Sequence, residues 1–105
     1  MDKKERIALY ERAIEQWGVT DQVFMVMEET GEMLDKLGKM NRYRSTEEEL
    51  RTELVDVCIL MEQMAVIFGG YDKFEEEMER KLARLKDKLD KHKPLKEEKD
   101  LKEET

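Results

Sequence analysis

Glu49-Leu50-Arg51-Thr52-Glu53-Leu54-Val55-Asp56-Val57-Cys58-Ile59-Leu60-Met61 decides the fold. Leu50, Leu54, Val57, Met61, Met64 and Phe68 recur at alternating spacings of four and three, the period of a helix with one apolar stripe. Val55, Ile59, Leu60, Val66 and Ile67 add apolar surface on the other sides. A helix that is apolar nearly all round belongs in the middle of a structure, covered on several faces. Upstream, Ser45-Thr46-Glu47-Glu48-Glu49 reads as a capping box, pairing Ser45 with Glu48 or Thr46 with Glu49. Downstream, Gly69-Gly70 stops the helix. The segment is therefore expected as a helix over 46–68.

Three further helices flank it. The first is expected over 2–17, with Ile7, Tyr10, Ile14 and Trp17 as its stripe and Gly18 as its end. The second is expected over 21–40, with Thr20 as N-cap and a stripe of Val23, Met27, Thr30, Leu34 and Leu37. The fourth is expected over 71–91, with Tyr71, Phe74, Met78, Leu82, Leu85 and Leu89 facing one way. One proline and five glycines in 105 residues are too few turn formers for a strand-rich fold. The expected architecture is an all-α, antiparallel four-helix bundle over residues 1–92, completed by oligomerisation. A charged tail over 93–105 is expected to be disordered. Surplus apolar surface on the third helix points to a homodimer or homotetramer.

Composition excludes several functions. Charged residues reach 45% and the net charge is -7, which repels the backbone of a nucleic-acid polymer. No segment has the apolar length of a membrane span, and Met1-Asp2-Lys3-Lys4-Glu5-Arg6 leads into no signal core. The single Cys58 excludes an internal disulfide, and its apolar neighbours predict a buried thiol. A soluble cytoplasmic protein is expected.

Carboxylate pairs three apart are cheap in a chain with 27 acidic residues. Glu32/Asp35, Glu76/Glu79 and Glu97/Asp100 have the same spacing as Glu29/Glu32 and Glu53/Asp56. Surroundings separate them. Advancing roughly 100° per residue puts Asp56 within about 60° of Glu53, with Val57 and Leu60 beside them in the apolar wall. Glu29 and Glu32 share a face with Met25, Met33 and Met40, at the edge of the second stripe, and Lys36 lies there too. Carboxylates facing low dielectric are costly unless paired or metal-bound. A hard divalent cation resolves the conflict, because magnesium prefers carboxylate and water oxygens, and manganese can substitute. The alternatives are solvated charges at the bundle rim, or salt bridges to lysine or arginine. Di-iron helical bundles need a Glu-x-x-His motif on each of two helices, whereas His92 is the one histidine and sits beside the polar tail.

Glu28-Glu29-Thr30-Gly31-Glu32 followed by Glu53-Leu54-Val55-Asp56 resembles the ExxE…ExxD signature of MazG-like nucleotide pyrophosphohydrolases, of the all-alpha NTP pyrophosphatases. Ala13-Ile14-Glu15-Gln16-Trp17-Gly18 resembles the end of that family's first helix. Cys58-Ile59-Leu60-Met61-Glu62-Gln63 is similar to the stretch after the acidic pair in its short phage-type members, and Lys81-Leu82-Ala83-Arg84-Leu85 to their last helix. The likeness covers roughly residues 5–90. It implies hydrolysis of a nucleoside triphosphate to a monophosphate and pyrophosphate. It implies that Glu29, Glu32, Glu53 and Asp56 are metal ligands, with Glu29 or Glu32 taking the proton of the attacking water. Glu28 matches an extra acidic position, or is a surface residue. Lys36, Lys39, Lys81 and Arg84 are candidates for the phosphates, with Lys81 and Arg84 first because they lie three apart in the resembling segment, although each reads more readily as an ordinary solvated cation. Trp17 would stack on a base or close the core. Two other readings compete: a non-enzymatic helical interaction protein, and a metal-dependent nucleotide binder or sensor.

Overall fold

The computed structural model describes residues 1–92, which fall into two units, one ending at Tyr71 and one beginning at Asp72. The expected disordered tail over 93–105 lies outside the described residues. Helices α1 (Lys3–Trp17), α2 (Val19–Met40) and α3 (Glu47–Ile67) build the first unit, and α4 (Tyr71–Lys91) runs from its last residue through the second. There is no strand among the described residues, so the all-α class holds. Within the first unit α2 and α3 are the main packed pair, and α1 lies against both. Lys36 meets Glu49 while Glu29 meets Asp56, so α2 and α3 run antiparallel.

Local chemistry sets the helix ends. The Asp2 carboxylate accepts the Glu5 N–H at 2.8 Å and opens α1. Of the two capping boxes open in the sequence, the cap forms at Thr46, whose hydroxyl accepts the Glu49 N–H at 3.1 Å. The expectation for α2 needs correction. Thr20 is not its cap; the helix starts at Val19 behind Gly18. Gly18 donates its N–H to the Ile14 carbonyl at 2.8 Å and accepts the Gln22 N–H at 3.2 Å, closing one helix and opening the next. It does so at φ 88° and ψ 154°, a conformation essentially reserved for glycine.

The packing faces of α2 and α3 match the expected stripes only in part: Val23, Thr30, Leu50, Val57 and Met64 turn inward as expected, and the other members do not. Met27 is 64% exposed and Leu34 60%, while Gln22 is buried and Val26, Glu29, Met33 and Lys36 are half-buried. On α3, Leu54, Met61 and Phe68 are exposed, whereas Leu50, Glu53, Val57, Leu60 and Met64 turn inward. Both sets repeat at spacings of three and four, so periodicity alone could not choose between them. The chosen faces carry Glu29 and Glu53 half-buried and leave large apolar side chains outside. Cys58, expected buried, is exposed. Trp17 is 57% exposed and does not close the core.

Glu62 ties this unit together. It is the one charged residue between Val57 and Tyr71. Its carboxylate accepts from the Tyr10 hydroxyl, from Tyr71 Oη at 3.1 Å and from Arg6 Nε at 3.4 Å. Burial alone would push the Glu62 carboxyl up. The two phenols and the guanidinium outweigh burial and hold it below its ordinary value. Tyr10 is 4% exposed, and burial together with the Glu62 carboxylate pushes its phenol up to about 12.

Candidate metal centre

The packing of α2 against α3 brings Glu29, Glu53 and Asp56 together, with one carboxylate oxygen of each within 4.8 Å of the others. Glu29 reaches the centre because it shares the packing stripe of α2 with Val26 and Met33. Glu53 shares the corresponding stripe of α3 with Leu50 and Val57, and Asp56 lies one turn on, at the exposed edge. Glu32 is exposed and outside this close set. It still acts on it: burial raises the Glu29 carboxyl first, and the charges of Glu32, Asp56 and Glu53 raise it further.

The environment fits a hard cation. Glu53 Oε2 is buried and has no hydrogen-bond partner. No lysine or arginine pairs with Glu29, Glu53 or Asp56 among the described residues, which removes the salt-bridge alternative for these three. Three oxygen donors, no imidazole and no thiolate suit magnesium or manganese better than zinc or copper.

The other candidate residues divide. Lys36 pairs with Glu49 at 3.5 Å, and Lys39 with Asp35 at 2.8 Å, where its ammonium holds the Asp35 carboxyl below the ordinary range. Lys81 lies 3.9 Å from Glu77 on its own helix, and Arg84 is exposed. Both belong to the second unit. Trp17 borders a cavity of about 410 Å³ that extends past buried Gln22 to Glu28. Glu28 thus lines a cavity that none of the three clustered carboxylates borders.

Sequence reasoning missed Glu62 and Gln63. A carboxylate inside the apolar run 57–68 was itself a signal that partners must exist. Their identity, at separations of 52 and 56 residues, needed the fold. The chain is an all-α helical protein with a clustered carboxylate site. No family model, curated protein or solved structure matches it.

Proposed function

We propose that the protein is a magnesium-dependent nucleoside triphosphate pyrophosphohydrolase that converts a (d)NTP and water to a (d)NMP and pyrophosphate. The observation that carries the reading is the Glu29–Glu53–Asp56 set, in which Glu53 also has a buried, unpartnered oxygen. The sequence likeness to MazG-like enzymes supplies the substrate class. Glu29, Glu53 and Asp56 would hold the cation. Magnesium, when bound, neutralises phosphate charge and polarises the attacking water. Glu32 stands outside the close set, beside Glu29, and is the carboxylate left to take the water proton. Lys36 and Lys39 sit in partly exposed ion pairs worth about 0–1 kcal/mol, so either amine can turn to a phosphate at small cost. Trp17 offers an exposed ring for the base. Manganese should substitute for magnesium. A homodimer or homotetramer in the cytoplasm completes the proposal.

The exposed apolar faces of α2 and α3 also suit a helical interaction protein, and a binder or sensor would keep the site without turnover. A panel of standard and modified (d)NTPs, assayed with magnesium for pyrophosphate, separates the three. Release from at least one supports the hydrolase. Nucleotide-dependent thermal stabilisation without product favours the sensor. No response to magnesium or nucleotide favours the interaction protein.

A further inference from the structure

Polar residues step along the α2–α3 seam at a regular interval within the first unit. Lys36 pairs with Glu49 at 3.5 Å, and Glu29 and Asp56 have carboxylate oxygens within 4.8 Å of each other. From the first pair to the second is seven residues back along α2 and seven forward along α3. Seven residues are close to two full turns and advance about 10.5 Å, so each such step stays on one face. One more step brings Gln22 opposite Gln63. Both glutamines are buried, at 3% and 8% exposure, and Gln63 Oε1 has no hydrogen-bond partner. A buried amide oxygen left unsatisfied calls for a donor from elsewhere.

Each glutamine borders a cavity, and Trp17 borders both. The cavity at Gln22 measures about 410 Å³ and the one at Gln63 about 290 Å³. Asp21 and Glu28 border the Gln22 cavity, where no lysine or arginine does, and ionised carboxylates only accept hydrogen bonds. Arg12, the one cation bordering the Gln63 cavity, is exposed.

We propose that the Gln22–Gln63 end of the seam reads the base of the nucleotide, and that it selects bases with an exocyclic amino group (cytosine, adenine or guanine) over uracil and thymine. The inference rests on the nucleotide reading of the carboxylate set and extends it to the class of base. Two helical turns separate the glutamines from the carboxylates, the scale of the sugar and phosphate between a base and a metal-bound anhydride. Trp17 supplies a ring face for stacking. An amino group carries two N–H donors, one for Gln63 Oε1 and one for a carboxylate at the rim, while the Gln22 amide meets the neighbouring ring nitrogen or carbonyl. Uracil and thymine put a carbonyl where cytosine has its amino group, which sets acceptor against acceptor and leaves Gln63 Oε1 unmet. That buried acceptor decides the preference, because exposed groups such as Arg12 fall back on water.

Trp17 is the sole tryptophan, so its fluorescence reports directly on this end of the seam. The full-length protein with magnesium is titrated with uncleavable α,β-methylene triphosphates in two pairs that differ by amino against oxo: deoxycytidine with deoxyuridine, and deoxyadenosine with deoxyinosine. Quenching is expected, with the amino member bound about tenfold or more tightly in at least one pair and the oxo member favoured in neither. Gln63→Leu should bring that ratio within about threefold, with helicity kept and Tm no lower, because it removes an unsatisfied polar group. Gln63→Met, closer to glutamine in shape but without the amide, should do the same. No quenching by any of the four, a preference for an oxo base, or an unchanged ratio in both Gln63 variants would overturn the proposal. Quenching with the expected preference, but no pyrophosphate from the matching cleavable triphosphate, supports this inference and removes the hydrolase reading. Pyrophosphate release without quenching or preference does the reverse.

Discussion

Replacing Glu62 with glutamine tests the packing of the first unit. The carboxylate accepts three donors, from Tyr10, Tyr71 and Arg6. Glutamine offers one acceptor oxygen, adds an NH2 that faces those donors, and removes the charge. Hydrogen bonds to a charged acceptor contribute about 1.5–3 kcal/mol, and neutral ones about 1 kcal/mol. The Arg6 and Glu62 side chains keep 37% and 28% of their exposure, so their ion pair counts at the low end. Tyr10, at 4% exposure, has no water to fall back on. The net loss is about 2 kcal/mol, which lowers Tm by about 8–16 °C for a domain of this size. Thermal unfolding followed by far-ultraviolet circular dichroism, at neutral pH and fixed protein concentration, reads it. The pH dependence gives a second check. Glu62 is held below its ordinary value, so its stabilisation is present above the unfolded-state value and lost as pH falls through the folded one. Glu62→Gln should therefore cost most near neutrality and progressively less in acid below the carboxylate range. A variant within 0.5 kcal/mol of the parent (about the scatter of surface substitutions), or one whose deficit grows in acid, refutes this account.

Three further outcomes are expected. Glu53→Gln should keep the helical spectrum but lose magnesium-dependent stabilisation and turnover; surviving turnover would show that the reacting centre lies elsewhere. Glu29→Gln should raise the metal-free Tm near neutral pH, because the Glu29 carboxyl is raised in the fold and its ionised form is disfavoured there. That advantage should shrink as pH falls below the carboxylate range, where wild-type Glu29 is protonated too, and a constant difference across the titration would contradict it. Gly18→Ala meets no atom within 4 Å, so its cost is backbone strain alone, about 1–3 kcal/mol in unfolding experiments.

The helices were legible because their punctuation is local. Gly18, the Ser45–Glu49 box and Gly69-Gly70 mark ends that depend on a few neighbouring residues, and α4 runs over the expected span. The inward faces were less legible. Met27 and Leu34 are better core residues than Glu29 and Lys36 by hydrophobicity, yet they face outward. On α2 a second helical stripe one residue away competes with the expected one, on α3 Glu53 and Leu60 take the inward places expected of Leu54 and Met61, and hydrophobicity chooses wrongly where a carboxylate is placed on the packing face. Glu53 was readable as an acid in an apolar wall, and it has the buried, unpartnered oxygen. Exposed Asp56 sits at the edge of that wall instead of inside it. Cys58 was misread for the same reason as Leu54: its side of α3 is apolar but uncovered within the first unit. The Glu62 cluster depends on α1 crossing α3, which no local pattern encodes.

The central claim is that Glu29, Glu53 and Asp56 hold magnesium for cleavage of a nucleoside triphosphate. Phosphorus NMR of single (d)NTPs incubated with the full-length protein tests it most directly. The account predicts, for at least one substrate, equal amounts of nucleoside monophosphate and pyrophosphate, dependent on magnesium and absent with Glu53→Gln. Orthophosphate and diphosphate nucleotide as products, or no product from any substrate with folded protein, would contradict it.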